Sequence, residues 1–288
     1  MSDMRQRSRR GSLPPFAVIL GTNEIASAVA VHLFWAGFGV VMSHDPMPPV
    51  IRRRMAFHDA LYDDAASVAG VVAARVESSV EIRERLAAGA GVLVTELGLL
   101  DLIVIGAIDI LVDGRMNKYQ VTPDLRRLGR LAVGLGPGFS SDVNCDVAVE
   151  TRPGIAGRVI TGGATAPPDG VPSSLGGQQA ARFARAEVAG RWHTAIEIGT
   201  RVYKDFIIGY LGAAPVRAPF DGIVRGVARD GIEVPQGVKL LEIDPRGRAA
   251  CWTGIDKRAG AIAKGVIRAL ARQAAEQPTP GPQVHLIK

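Results

Sequence analysis

The sequence predicts an α/β protein: a Rossmann-like doubly wound sheet, then a small all-β barrel-sandwich domain and a C-terminal helix. Three observations carry this. Residues 16–42 read strand, helix, strand, with Gly21 and Gly37 at the joints, the opening of a parallel sheet. Residues 184–211 and 216–243 resemble each other at an offset of 32 and are rich in short alternating strands, the mark of a duplicated unit. Residues 259–272 then show helical spacing.

The bulk figures set limits. A chain of 288 residues suggests about two domains. It is 47% hydrophobic but only 5% aromatic, so Val, Ile, Leu and Ala must fill the core. The formal charge of +6 is concentrated at Arg5, Arg7, Arg9 and Arg10 and at Arg52, Arg53 and Arg54. No stacking aromatics interleave with these arginines, which argues against a nucleic-acid surface. The basic start lacks an apolar signal region, and no apolar run is long enough for a bilayer. Cys145 and Cys251 do not make a disulfide framework. No His, Cys and carboxylate spacing suits a metal. A cytoplasmic protein is expected, with no nucleic-acid or membrane partner; homo-oligomerisation is left open.

Residues 1–13 read as a disordered tail and 14–150 as the Rossmann-like domain. The first turn keeps Gly21 but has Asn23, with Glu24 beside it, and Ser27 or Ala28 where a dinucleotide fingerprint would need glycines. Asp45, 24 residues after Gly21, stands where a ribose-binding carboxylate would sit. This half is either a cofactor site or a scaffold that binds no dinucleotide. Arg52 and Arg53 precede a short helix at 56–62 and suit a phosphate or carboxylate. Strands follow at 71–76, 92–95 and within 99–112, with a helix at 81–88; the polar stretch 114–118 reads as an edge loop over a cleft. Residues 131–135 read as a buried strand that runs into Gly134, Gly136 and Gly138. With Pro137 these form a loop able to aim several N–H groups at one anion. Cys145 lies just beyond, and the alternating pattern resumes at 146–150.

Residues 151–180, rich in Gly, Pro and Thr, read as a linker or lid. The duplicated barrel-sandwich spans 181–250. Within it Val216-Arg-Ala-Pro-Phe-Asp-Gly-Ile-Val224 resembles the start of biotinyl/lipoyl carrier domains. The hairpin at 212–215 has no lysine to modify, so no covalent biotin or lipoate is expected. Residues 251–275 are a loop containing Lys257 and then a helix from Ala259, whose first turn can present N–H groups; 276–288 is a tail.

Together Ile51-Arg-Arg53, Gly134-Leu-Gly-Pro-Gly-Phe139, Asn144-Cys-Asp146, Val216-Arg-Ala-Pro219 and Asp256-Lys-Arg-Ala259 resemble the accessory family of the selenium-dependent molybdenum hydroxylase system, similar in role to the xanthine dehydrogenase accessory proteins. The resemblance implies a factor that matures a molybdenum hydroxylase-type client enzyme. It would hold a molybdopterin-type cofactor or a nucleotide on the glycine loop, with Arg52, Arg53 or Lys257 neutralising charge. Cys145 or Cys251 would handle sulfur, selenium or molybdenum as a soft thiolate. Two alternatives stand beside it: an NAD(P)-binding oxidoreductase using Gly21 and Asp45, and a non-catalytic scaffold that docks a partner through the barrel-sandwich domain. The residues assign no catalytic group and leave open whether the chain is an enzyme.

Overall fold

The computed structural model describes residues 13–64, 66–117 and 121–276; but for Leu13 and Glu276, the tails expected at the two ends lie outside the described residues. Nine strands make one sheet: β1 (Phe16–Leu20), β2 (Gly39–Ser43), β3 (Ala66–Val68), β4 (Val71–Arg75), β5 (Val92–Thr95), β6 (Ile110–Asp113), β7 (Ala132–Leu135), β8 (Val147–Val149) and β9 (Val159–Ile160). Their order is β3-β4-β5-β2-β1-β6-β7-β8-β9. The pairs from β4 to β8 are parallel, whereas β3 pairs β4 and β9 pairs β8 antiparallel. The sheet is therefore mixed.

Both faces of the central strands are covered, which is why β1 is apolar and buried at all five positions. Helix α1 (Glu24–Trp35) lies on one face, while α2 (Ser79–Ala87) and α3 (Leu99–Ile103) bring Ile82, Leu86 and Leu102 to the other. Helix α4 (Lys257–Glu276) closes the chain by returning to the first face. Ala259, Ile262, Ala263, Val266 and Ala269 make its apolar stripe and share a core with Val29 and Leu33 of α1. The backbone of residue 157 reaches α4 so closely that a Cβ on Gly157 would lie 2.1 Å from the Ala261 carbonyl.

Between β9 and α4 come two four-stranded antiparallel sheets. They are built from β10 (Phe183–Arg185), β11 (Gly190–His193), β12 (Arg201–Val202), β13 (Ile207–Leu211), β14 (Ala214–Arg217), β15 (Gly222–Val227), β16 (Glu233–Val234) and β17 (Lys239–Asp244). One sheet runs β10-β17-β15-β12 and the other β14-β13-β11-β16. Each draws two strands from each sequence repeat, so neither repeat can form its sheet alone. Trp192, Val224, Leu240 and Ile243 are fully buried between them, each contributing about 1.5–3 kcal/mol of apolar burial.

The expected Rossmann-like doubly wound sheet followed by a biotinyl/lipoyl-like barrel and a separate terminal helix is corrected by this architecture. The molecule is a mixed α/β protein with a nine-stranded mixed sheet and two antiparallel sheets. Two local causes escaped the sequence. The β3–β4 hairpin turns through Ala69 and Gly70, both at positive φ, and alanine is not a residue that announces such a turn. The last helix belongs to the core of the large sheet, a contact across more than 200 residues that no local pattern encodes. Among the described residues no helix is long and apolar enough to cross a membrane.

Candidate functional site

β1 connects to β2 on one side, while β6 lies on its other side, so the chain diverges at the carboxyl ends of β1 and β6. Open sheets leave a crevice at such a divide. Here Gly21 follows β1 at φ +101°, and a Cβ on it would come within 3.1 Å of the Gly114 carbonyl and the Arg115 backbone. Asn23 then starts α1: its Oδ1 accepts the N–H of Ile25 and Ala26 at 3.0 and 3.1 Å, and its Nδ2 donates to the Gly114 carbonyl at 2.7 Å.

Above this divide a cleft of about 630 Å3 opens between the large sheet and the antiparallel sheets. Gly21, Asn23, Glu24, Asp45 and Arg52 line it. So do residues that the sequence reading passed over: Glu150, Arg152, Asp169, Arg182 and Arg258. Six cationic side chains face four carboxylates in its lining.

Arg52 and Arg182 are spent on a buried carboxylate behind the lining. Glu242 of β17 is fully buried; it accepts from Arg52 at 2.6 and 3.1 Å and from Arg182 at 2.8 Å, with Arg225 at 3.7 Å. Burial acts to raise its pKa, but the guanidiniums of Arg52, Arg182 and Arg225 outweigh it and hold the carboxyl below its ordinary value. Arg52 also pairs with Glu24 at 2.7 Å. This cluster ties the loop after β2 to β17, and the backbone beside it adds a Val227 N–H to Ile51 carbonyl bond of 2.9 Å. Asp45 accepts from the Met47 N–H and from Asn117 Nδ2.

Arg258 differs. Its Nε donates to the Thr151 carbonyl at 2.8 Å, and no carboxylate lies within the 4 Å of an ion pair among the described residues. Burial pushes its pKa down, partly opposed by Glu24. A strap, residues 166–173, lines the same cleft. One end is held by the Glu150 carboxylate, which accepts the N–H of Thr151, Arg152 and Ala166 at 2.7–2.8 Å. At the other end Arg182 donates to the Ser173 carbonyl. Between them, Arg152 and Asp169 form a half-exposed ion pair at 3.3 Å.

The glycine loop has a different job. A Cβ on Gly134 would lie 2.0 Å from the Phe139 ring, so the missing side chain makes room for that ring. The Gly136 N–H is taken by the Val149 carbonyl at 3.1 Å. Of residues 134–138 only Pro137 reaches the cleft. Arg53 points elsewhere, donating to the Val227 carbonyl and pairing with Asp59 at 2.7 Å. Cys145 is buried in the other face of the sheet, and its burial pushes the thiol pKa up to about 12. Cys251 and Lys257 are exposed and outside the cleft lining. The structure thus gathers Gly21, Asn23, Glu24, Asp45 and Arg52, and leaves out Arg53, Gly134, Gly136, Gly138, Cys145, Cys251 and Lys257. Among the described residues no three His, Cys, Asp or Glu side chains converge as a metal site. A second cavity, about 330 Å3, lies beyond Asp45 and is lined by Ser43, His44, Gly98, Arg115 and Asp124 among others.

No protein-family profile matches the chain. It is 34% identical over 262 residues to the uncharacterized protein YqeB of Escherichia coli K12, covering 88% of this chain and 47% of that protein. The chain thus spans about half the length of the curated relative it matches. Solved structures with some likeness include a succinylglutamate desuccinylase/aspartoacylase from Rhodobacter sphaeroides (15% identity, 81% of this chain and 86% of that one, TM-score 0.25) and an aspartoacylase family protein from Mesorhizobium loti (10% identity, 82% and 86%, TM-score 0.24). Scores this low transfer neither fold nor activity.

None of these proteins is described as a molybdenum hydroxylase accessory factor, an NAD(P)-dependent oxidoreductase or a docking scaffold, and those expectations are withdrawn. The geometry agrees with the correction for molybdenum chemistry: neither cysteine faces the cleft, and the glycine loop offers it no convergent amides.

Proposed function

We propose that the cleft at the β1–β6 divide binds a small anionic molecule, a phosphate or carboxylate, with Arg258 as its main contact and Arg152 as a second. Arg258 carries the reading. A partly buried guanidinium with no carboxylate in ion-pair range among the described residues gains when an anion joins it, and its remaining N–H groups form a fork suited to two oxygens. The helix amides nearest the cleft are partly spent: the Ile25 and Ala26 N–H groups of α1 are capped by Asn23, and the Ala259 N–H of α4 is capped by Asp256 at 2.8 Å. The strap 166–173 covers the guest, and Asp169 holds Arg152 until the guest replaces it.

Thermal-shift and calorimetric titrations with inorganic phosphate, adenosine monophosphate and succinate test this. At least one probe is expected to raise the Tm of the full chain. Arg258→Ala is expected to weaken that probe about 10- to 100-fold, the worth of a charge-assisted hydrogen bond, with Arg258→Lys in between. No shift with any probe, or equal shifts in wild type and Arg258→Ala, overturns the reading.

A further inference from the structure

Behind the first turn lies a cluster that the anion reading does not use. The Thr22 hydroxyl, 2% exposed, sits between two imidazoles: Oγ1 is 3.0 Å from His58 Nδ1 and 3.4 Å from His44 Nδ1. The rings are 5.2 Å apart between centroids. His44 lines the second cavity, whereas His58 is only 5% exposed, with the Tyr62 ring edge-on at 5.7 Å.

A hydroxyl has one proton and two lone pairs. Thr22 Oγ1 has no other acceptor among the described residues, so its proton goes to one Nδ1, and the other ring must donate its own Nδ1–H to the oxygen. The shorter contact assigns the O–H to His58, which is then the Nε2–H tautomer. His44 is then the Nδ1–H tautomer, and its Nε2 keeps a free lone pair. That atom has no hydrogen-bond partner among the described residues, and His44 lines the second cavity.

We propose that Thr22, His44 and His58 form an acid–base site on the second cavity, in which His44 Nε2 takes a proton from an O–H or N–H of a small molecule held there and Thr22 and His58 carry the displaced proton away. As Nε2 of His44 gains the substrate proton, its Nδ1 proton passes to Thr22 Oγ1. The Thr22 proton passes to His58 Nδ1, and His58 releases its Nε2 proton to water. Each ring ends neutral in its other tautomer, and the substrate is left as the anion. His44 is the catalytic residue; Thr22 and His58 are positioning residues.

The surroundings favour this route over a stored imidazolium. Burial lowers the pKa of His58 to about 3, with His44, Arg53 and Arg229 adding repulsion. Burial also lowers His44, against the pull of Glu96 and Asp45. A proton arriving at His58 must therefore be passed on. The inference stands apart from the anion reading, since neither Arg258 nor Arg152 takes part.

Long-range 1H–15N spectra of the full chain with 15N-labelled histidine test it at pH 7. The expected result is two neutral rings of opposite tautomer, His44 as Nδ1–H and His58 as Nε2–H. Thr22→Val is expected to lose the His44 Nδ1–H signal and Thr22→Ser to keep it. Carbethoxylation of His44 by diethyl pyrocarbonate, which needs the Nε2 lone pair, is expected to slow about tenfold in Thr22→Val, the bias of one lost hydrogen bond. Rings of the same tautomer in the wild type overturn the proposal whatever the variants do. So does a reaction rate unchanged by Thr22→Val.

Discussion

Two loops stand at the carboxyl ends of parallel strands in the same sheet. One, residues 21–24 after β1, has a single glycine; the other, residues 134–138 at β7, has three. The glycine-rich loop is the packed one. Gly134 leaves room for Phe139, and Gly136 lies under Thr151 with its N–H already bonded. The poorer loop faces the cleft on one side and the Thr22–His cluster on the other. A missing side chain thus admits either a ligand or a neighbouring residue, and what lies opposite decides which.

The contrast can be broken where it is most deeply anchored. Glu242→Gln would leave Arg52, Arg182 and Arg225 around a neutral group, loosening the wall beside the first loop. A loss of about 3–5 kcal/mol in urea-unfolding free energy is expected; a loss below about 1 kcal/mol would mean that the arginines find water or other partners. Gly134→Ala tests the second loop. Its Cβ has no room beside the Phe139 ring, and a cost of about 1–3 kcal/mol is expected. The double variant Gly134→Ala with Phe139→Ala should recover the overpacking part, and anion binding by the folded fraction should be unchanged.

The first loop should also show in acid. Folded His58 stays neutral down to about pH 3, while an unfolded histidine protonates near 6.5. Between those values the unfolded state holds the extra proton, so this contribution is complete above about pH 6.5 and falls as pH drops. The slope is at most about 1.4 kcal/mol per pH unit. Unfolding titrations of His58→Gln should lose that slope, and an identical acid slope would count against the buried neutral ring. The smallest effect is expected at the strap. Asp169→Asn removes a half-exposed pair worth about 0–1 kcal/mol in stability. In binding it should instead tighten phosphate or succinate, by releasing Arg152.

Several features were legible in advance because they are local. The first strand and helix, from Phe16 to Trp35, follow from five apolar residues, one turn glycine and a run at helical spacing. The 32-residue repeat marks where corresponding strands lie. Among site residues, Arg52 and Asp45 were visible because they follow a strand in a βα pattern. Arg258 was missed for its neighbour Lys257: helix phase, set by the stripe Ala259, Ile262 and Val266, turns one toward the cleft and the other to solvent. The Thr22 pairing with His44 and His58 had no signal, since the three lie on separate segments.

From residue order alone came the central apolar strands, the first helix and the duplicated antiparallel unit, since each depends on spacing within a few residues. Tertiary structure alone decided that the last helix rejoins the first sheet, that Gly134 and Gly136 serve packing, and that Arg258 in the cleft has no carboxylate in ion-pair range among the described residues. Those outcomes depend on which surfaces meet across long stretches of chain, where burial and charge pairing, rather than local propensity, set the energy.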